Sequence, residues 1–164
     1  MKLANLRDLF AQELMDLYDA EQQILKGLSK LSKAATAPEL KMAFEEHHTQ
    51  TENHVKRLEQ VFQQIGHPAK SKTCKAMQGL MAEGEELMKE QADPAVRDAG
   101  LIAAAQRVEH YEIAVYGTAR TYANMLGQHQ AAQLLQQTLD EEGMTDKKLT
   151  QLAERVVNIE AERA

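Results

Sequence analysis

The sequence predicts an all-α domain: a four-helix bundle with one crossover connection and an additional short helix. Three observations predict it. Ala, Leu, Gln, Glu, Lys and Met dominate, all good helix formers, while aromatics are 4% and Trp is absent. Apolar residues recur at alternating spacings of three and four along several long stretches. Only three prolines interrupt them, two at expected helix starts. The 164 residues read as one domain, 1–164, large enough to hold a core without disulfides.

The first helix is predicted over 3–35, on the stripe Leu3, Leu6, Phe10, Leu14, Leu17, Glu21, Ile24, Leu28, Leu31. Thr36-Ala37-Pro38 ends it and starts the second, with Pro38 at the first helical position. The second runs to Ile65 through Leu40, Phe44, His47, Thr51, His54, Leu58 and Val61, and stops at Gly66-His67-Pro68. A shorter helix over 72–91 carries Met77, Leu80, Met81, Leu87 and Met88. Asp93-Pro94 starts the next long helix, with Ile102, Ala105, Glu109, Glu112, Tyr116 and Ala119 on one face and Gly127 at its end. The last carries Leu135, Leu139, Glu142, Asp146, Leu149, Ala153 and Val156 inward.

The connections set the topology. Tight turns make the first two long helices, and likewise the last two, antiparallel neighbours. Between the pairs lie roughly 25 residues with a helix of their own, about 30 Å long at the α-helical rise. That helix returns the chain to its starting end, so the second and third long helices run parallel. An up-down bundle with a docked fifth helix is the alternative.

Composition excludes several functions. A formal charge of −6 and scattered basic residues argue against a nucleic-acid binder. Cys74 is the single cysteine, which removes disulfides within the chain and CxxC chemistry and suits a reducing compartment. The N-terminal stretch carries charges every few residues, unlike a signal peptide, and no apolar run would span a bilayer. A cytoplasmic protein away from membranes is the expectation.

Five acids occupy positions that should be apolar: Glu21, Glu109, Glu112, Glu142 and Asp146. A buried carboxylate needs a partner, and no Lys or Arg shares these stripes nearby. Residues equidistant from a tight turn sit at one height. Glu112 is 15 residues before Gly127 and Glu142 is 15 after it, and Glu109 and Asp146 match nearly as well. Glu21 is level with about residue 52 across the first hairpin, where Thr51, His54 and Gln50 are the nearest inward residues, with His47 lower. One Glu on a stripe is ordinarily a boundary residue that reaches solvent; five on three helices at matched heights are harder to explain that way. Inward carboxylates with one or two histidines hold two iron or manganese ions in ferritin-like bundles. Structural zinc prefers thiolates and histidines.

Other residues have simpler readings. Glu45-x-x-His48 spells a literal Glu-x-x-His pattern, but Glu45 points off the stripe and both lie below the expected level. The tyrosines read as packing residues with a polar tip, Tyr116 being one turn from Glu112 and placed either to orient a carboxylate or to serve a redox role. The methionines read as core fillers. Cys74 has no evident partner.

At these residues the chain resembles the bacterial ferritin-like YciF/YciE stress-protein family. The resemblance runs through AEQQIL at Glu21, AFEEHHTQT at His47, AAAQRVEHYEIAVYGT at Glu109 and Glu112, and LDEEGMTDKKL at Glu142 and Asp146. It implies a rubrerythrin-related bundle, often a dimer, and favours His47 over His48 as the histidine of the helix-2 motif. The family usually has Glu where this chain has Gln50, and often Gln where it has His54.

The expected function is therefore a dinuclear iron protein, or manganese as the alternative, that oxidises Fe(II) with oxygen or peroxide in stress. Glu21, Glu109 and Glu142 are the expected primary carboxylates, with Glu112 and Asp146 bridging or completing the set and His47 or His54 supplying nitrogen. A homodimer is expected from the resemblance and from the Met- and Leu-rich crossover helix. The alternative is a non-enzymatic helical module with a structural or vestigial metal site.

Overall fold

The computed structural model describes residues 3–164. Four long helices form the bundle: α1 (Leu6–Ala34), α2 (Pro38–Gln64), α4 (Pro94–Met125) and α5 (His129–Leu152). The short α3 (Lys75–Lys89) lies between α2 and α4, and a π-helical turn (Ala153–Val157) leads into α6 (Asn158–Glu162). No strand forms among the described residues, and no helix there is long and apolar enough to cross a membrane.

Local chemistry sets the boundaries. Asn5 caps α1 by accepting from the Asp8 amide at 3.0 Å, and Asp93 caps α4 by accepting from Ala95 at 2.8 Å. Pro38 and Pro94 open their helices. Gly66 and Gly127 follow α2 and α4 with φ of 67° and 72°, a left-handed conformation that costs glycine nothing. Ala37, at the N-cap of α2, has no side chain to cap with. The buried Asp98 of α4 does that work from across the bundle, accepting from the amides of Thr36 at 2.9 Å and Ala37 at 2.6 Å.

That contact also fixes direction. The end of α1 meets the start of α4, while Phe10 and Leu14 cluster with Ala119 and Ala123 at the other end. The two helices are therefore antiparallel. Arg57 pairs with Glu141 and Glu46 with Lys148, so α2 and α5 are antiparallel too. Since α2 and α4 both oppose α1, they run parallel, and the one-crossover ferritin-like arrangement holds over the up-down alternative.

The helix α3 packs on α1 and α4. Gly27 and Gly100 make room for it: a Cβ at Gly27 would stand 2.6 Å from Met81 Sδ, and one at Gly100 2.8 Å from Leu87 Cδ2. The apolar face of the crossover packs in part within the chain: Met77 is buried, while Leu80, Met81, Leu87 and Met88 are partly buried. At the C-terminal end the π turn shifts the register, so Val157 is buried where the spacing had placed Val156.

The core is split. One apolar cluster gathers Ile24, Leu28, Phe44, Leu101 and Leu149; the other gathers Phe10, Leu17, Phe62, Tyr116 and Leu135. Between them lie buried Glu21, His47, Thr51, His54, Glu109, Glu112 and Glu142.

Candidate metal centre

Four helices each contribute to this polar layer, and none of its six candidate ligands is more than 3% exposed. Glu21 comes from α1, His47 and His54 from α2, Glu109 and Glu112 from α4, and Glu142 from α5. His47 and His54 are two helical turns apart on one face, so each serves a different level. Their donor atoms form two overlapping groups: His47, Glu109, Glu112 and Glu142, and Glu21, His54 and Glu142. Within each group the donors lie within 4.8 Å of one another.

Glu142 belongs to both groups. Its Oε2 is 3.4 Å from His47 Nε2, and its Oε1 is 2.8 Å from His54 Nδ1. On the two sides, His47 Nε2 is 3.2 Å from Glu109 Oε1, and His54 Nδ1 is 3.5 Å from Glu21 Oε1. Glu142 is thus the residue common to the two groups and Glu112 belongs to one of them, where the sequence reading has Glu112 and Asp146 bridging or completing the set.

Asp146 stands outside both groups. It is partly exposed, accepts from Gln106 Nε2 at 3.1 Å, and lies 3.2 Å from His110 Nε2. The height argument located it correctly along α5, but side-chain direction turns it to the α4–α5 seam. Glu45 is exposed and His48 half-buried against Glu52, so the literal Glu-x-x-His pattern faces outward. Residue 50 sits behind His47 instead of among the inward carboxylates.

Each inward nitrogen is set by what holds the ring's other nitrogen. His47 Nδ1 is 3.1 Å from Gln50 Oε1 and 3.2 Å from Thr145 Oγ1. An amide oxygen only accepts, so Nδ1 carries a proton and Nε2 is the nitrogen that faces inward. His54 Nε2 lies 2.8 Å from Glu141 Oε2, which places its Nδ1 inward. Arg57 grips Glu141 through both nitrogens, at 2.8 Å and 2.6 Å, and holds its carboxyl below the usual range. Tyr116 donates to Glu21 Oε1 from full burial. The Glu141–Arg57 support was missed in the sequence. Its signal was there: Glu141 precedes Glu142, and Arg57 stands one turn beyond His54.

Without a cation this layer is costly. Eight buried donor atoms lack a hydrogen-bond partner: Glu21 Oε2, His47 Nε2, His54 Nδ1, Glu109 Oε2, and both oxygens of Glu112 and of Glu142. Burial raises Glu109 to about 7 and Glu142 to about 8, and pushes Glu112 well above the usual carboxylate range. Burial opposes charge on His54, but the facing carboxylates of Glu142 and Glu21 outweigh it and raise that imidazole to about 10. Protons therefore substitute for missing positive charge. Two divalent ions would balance the four carboxylates and give the eight atoms partners, so the donor set fits a dinuclear site of oxygen-rich ligation.

Nearby, Cys74 has a partner after all. Its Sγ is 3.0 Å from the Tyr111 hydroxyl, which donates to Asp16 Oδ2 at 2.6 Å. Burial raises both the thiol and the phenol, leaving them protonated at neutral pH.

Comparison with known proteins gives the family and the fold. Residues 5–162 match the family described as Domain of unknown function (DUF892). The chain is 44% identical over 163 residues to Protein YciF of Escherichia coli (strain K12), covering 99% of this chain and 98% of that one. The crystal structure of the E. coli stress protein YciF superposes with a TM-score of 0.91 over 94% of this chain and 98% of that one. YcfI of Rhodopseudomonas palustris gives 0.89 at 39% identity, over 91% and 95%. A Xanthomonas campestris protein, 19% identical over 97% and 98%, gives 0.79 and shares the fold.

Proposed function

The chain belongs to the DUF892 family, and from that premise we propose that it is a dinuclear iron stress protein, with manganese the alternative metal. The observation that carries the reading is the set of eight unpartnered buried atoms converging from four helices. Glu21, His54 and Glu142 would hold one ion; His47, Glu109, Glu112 and Glu142 would hold the other. A pair of iron ions supplies one-electron steps toward oxygen or peroxide, so the reaction class is Fe(II) oxidation.

The chain's own contribution is order and dryness. Gln50 and Glu141 hold the outer nitrogens of the two rings, so that each would offer its inner nitrogen to a cation once His54 has given up its inner proton. Tyr116 holds one oxygen of Glu21 and leaves the other free for the centre. Glu109, Glu112 and Glu142 are protonated or nearly so before loading, and each releases its proton as a cation takes its place. The apolar clusters above and below exclude water.

Anaerobic Fe(II) titration with elemental analysis tests the reading. About two ions per chain are expected from the two donor groups. Less than about half an ion at saturation would sink it. Burial of every ligand also suits a structural ion, which supports the second reading, a non-enzymatic stress or interaction module. Oxidant consumption by the loaded protein separates the two. A homodimer and a cytoplasmic location rest on the resemblance and composition, and light scattering tests the first.

A further inference from the structure

The two halves of the centre differ in how they meet solvent. The outer side of His54 is closed by Glu141, itself gripped by Arg57. The outer side of His47 opens on a cleft between α2 and α5 of about 150 Å³. His47 and Glu109 form its floor, and Gln50 and Thr145 stand in its wall. Neither Glu21 nor His54 lines it. At its mouth Lys148 pairs with Glu46 across the two helices, beside Met144, which is 70% exposed.

We propose that this cleft is the port through which a divalent cation reaches the His47 half of the centre, with Gln50 and Thr145 as its gate. The inference rests on the metal reading above. Apolar Ala43, Phe44, Met144 and Leu149 make up much of the lining, and a cation entering it would shed water onto the few oxygens among them. The Glu46 carboxylate comes first, then the oxygens of Gln50 and Thr145, then Glu109. The gate is held by donors converging on one acceptor: His47 Nδ1 at 3.1 Å and Thr145 Oγ1 at 3.4 Å both reach Gln50 Oε1. Gln50 and Thr145 are only partly buried, so a side-chain rotation opens the gate without moving a helix. The Lys148–Glu46 pair is an exposed lid that weakens in salt. The consequence is an order of exchange: the His47 half fills and empties through the cleft, while the His54 half is retained.

Stopped-flow uptake of Co(II) by the full chain tests this. Met144→Trp fills the mouth without touching a ligand. It should slow both association and release by about tenfold while leaving equilibrium affinity within about threefold. Lys148→Ala frees Glu46 and should speed association by about threefold at low salt, an effect lost at high salt. General destabilisation would not produce opposite changes in rate at constant affinity. Wild-type rates in both variants, or slowing matched by an equal loss of affinity, would overturn the port while leaving the metal centre standing. Failure of the unaltered protein to take up any Co(II) would overturn the metal reading itself.

Discussion

The His47 and His54 halves of the centre use the same ring to opposite ends. Both turn one ring nitrogen toward the shared Glu142. Behind His47 the support is neutral, an amide and a hydroxyl beside a cleft. Behind His54 it is a carboxylate locked to a guanidinium. A charged acceptor makes an imidazole a stronger donor to a metal and fixes its orientation. The difference teaches that a nearly symmetric set of buried donors becomes asymmetric through residues outside it. It predicts a tight half and an exchangeable half.

The largest effect should come from removing what the halves share. Glu142→Ala takes one oxygen from each group, so both ions should be lost while helicity is kept. Elemental analysis and far-UV circular dichroism check this. Full metal content in the variant would show that Glu142 bridges nothing. In the metal-free protein, Glu142→Gln removes the carboxylate 2.8 Å from His54 Nδ1, so the imidazole it holds up should titrate lower, which NMR of the ring checks.

Acidity comes next. Folded Glu109 and Glu142 are raised from 4.5 to about 7 and about 8. Between those values the folded protein binds more protons than the unfolded chain, so metal-free stability falls as pH rises. Their contribution is complete below pH 4.5 and is lost through pH 7 to 8. His54, raised from 6.5 to about 10, acts with the same sign at higher pH. Metal replaces these protons, so the melting-temperature gain on loading should grow from pH 5 to pH 8. A gain independent of pH would mean that the acids are already ionised, and that the cost of burying them is met some other way.

A smaller effect isolates the His54 half. Glu141→Gln keeps a hydrogen-bond acceptor but removes the charge, and should weaken one of two Co(II) binding steps by roughly 10-fold or more. The same change in a His54→Gln background should then do almost nothing. Weakening of both steps, or persistence of the effect without His54, would show that Glu141 acts through packing.

How much of this was legible in the sequence follows from what the sequence encodes directly. Helix positions were, because the three-and-four spacing of Leu and Ile and the Pro and Gly punctuation report period and ends. The height of the site was, because a tight turn converts residue number into level: Glu142 and Glu112 do meet. What height does not report is direction around the helix axis. Glu142 and Asp146 are four residues apart, one turn up the same helix, yet Asp146 faces Gln106 at the α4–α5 seam. The supports behind the imidazoles left only a faint signal, adjacency to Glu142 and His54, for a related reason. Glu141 and Arg57 lie off the apolar stripes, where charged residues are ordinary, and only the packing of α2 on α5 gives them a role. The cap on α2 was hidden likewise, since Asp98 serves amides 62 and 61 residues away in sequence.

The smallest expected effect tests the other half. Gln50→Glu places a carboxylate behind His47, where the oxygen of residue 50 stands 3.1 Å from Nδ1. Residue 50 lies on the outer side of the ring, so the new charge would act through the imidazole and would add no ligand. It should make His47 support resemble His54 support and tighten the exchangeable ion by a few-fold, roughly 1 kcal/mol. Without metal the change costs little, because residue 50 is partly exposed and a carboxylate there keeps some of its water. The comparison to measure is the ratio of the two Co(II) affinities in wild type and variant. Narrowing of that ratio supports the account of unequal halves. A ratio that stays put, with both affinities unchanged, would mean that the charge behind the ring is not what separates them. The difference between the halves would then lie in the inward carboxylates, where Glu109 and Glu112 stand on one side and Glu21 alone on the other.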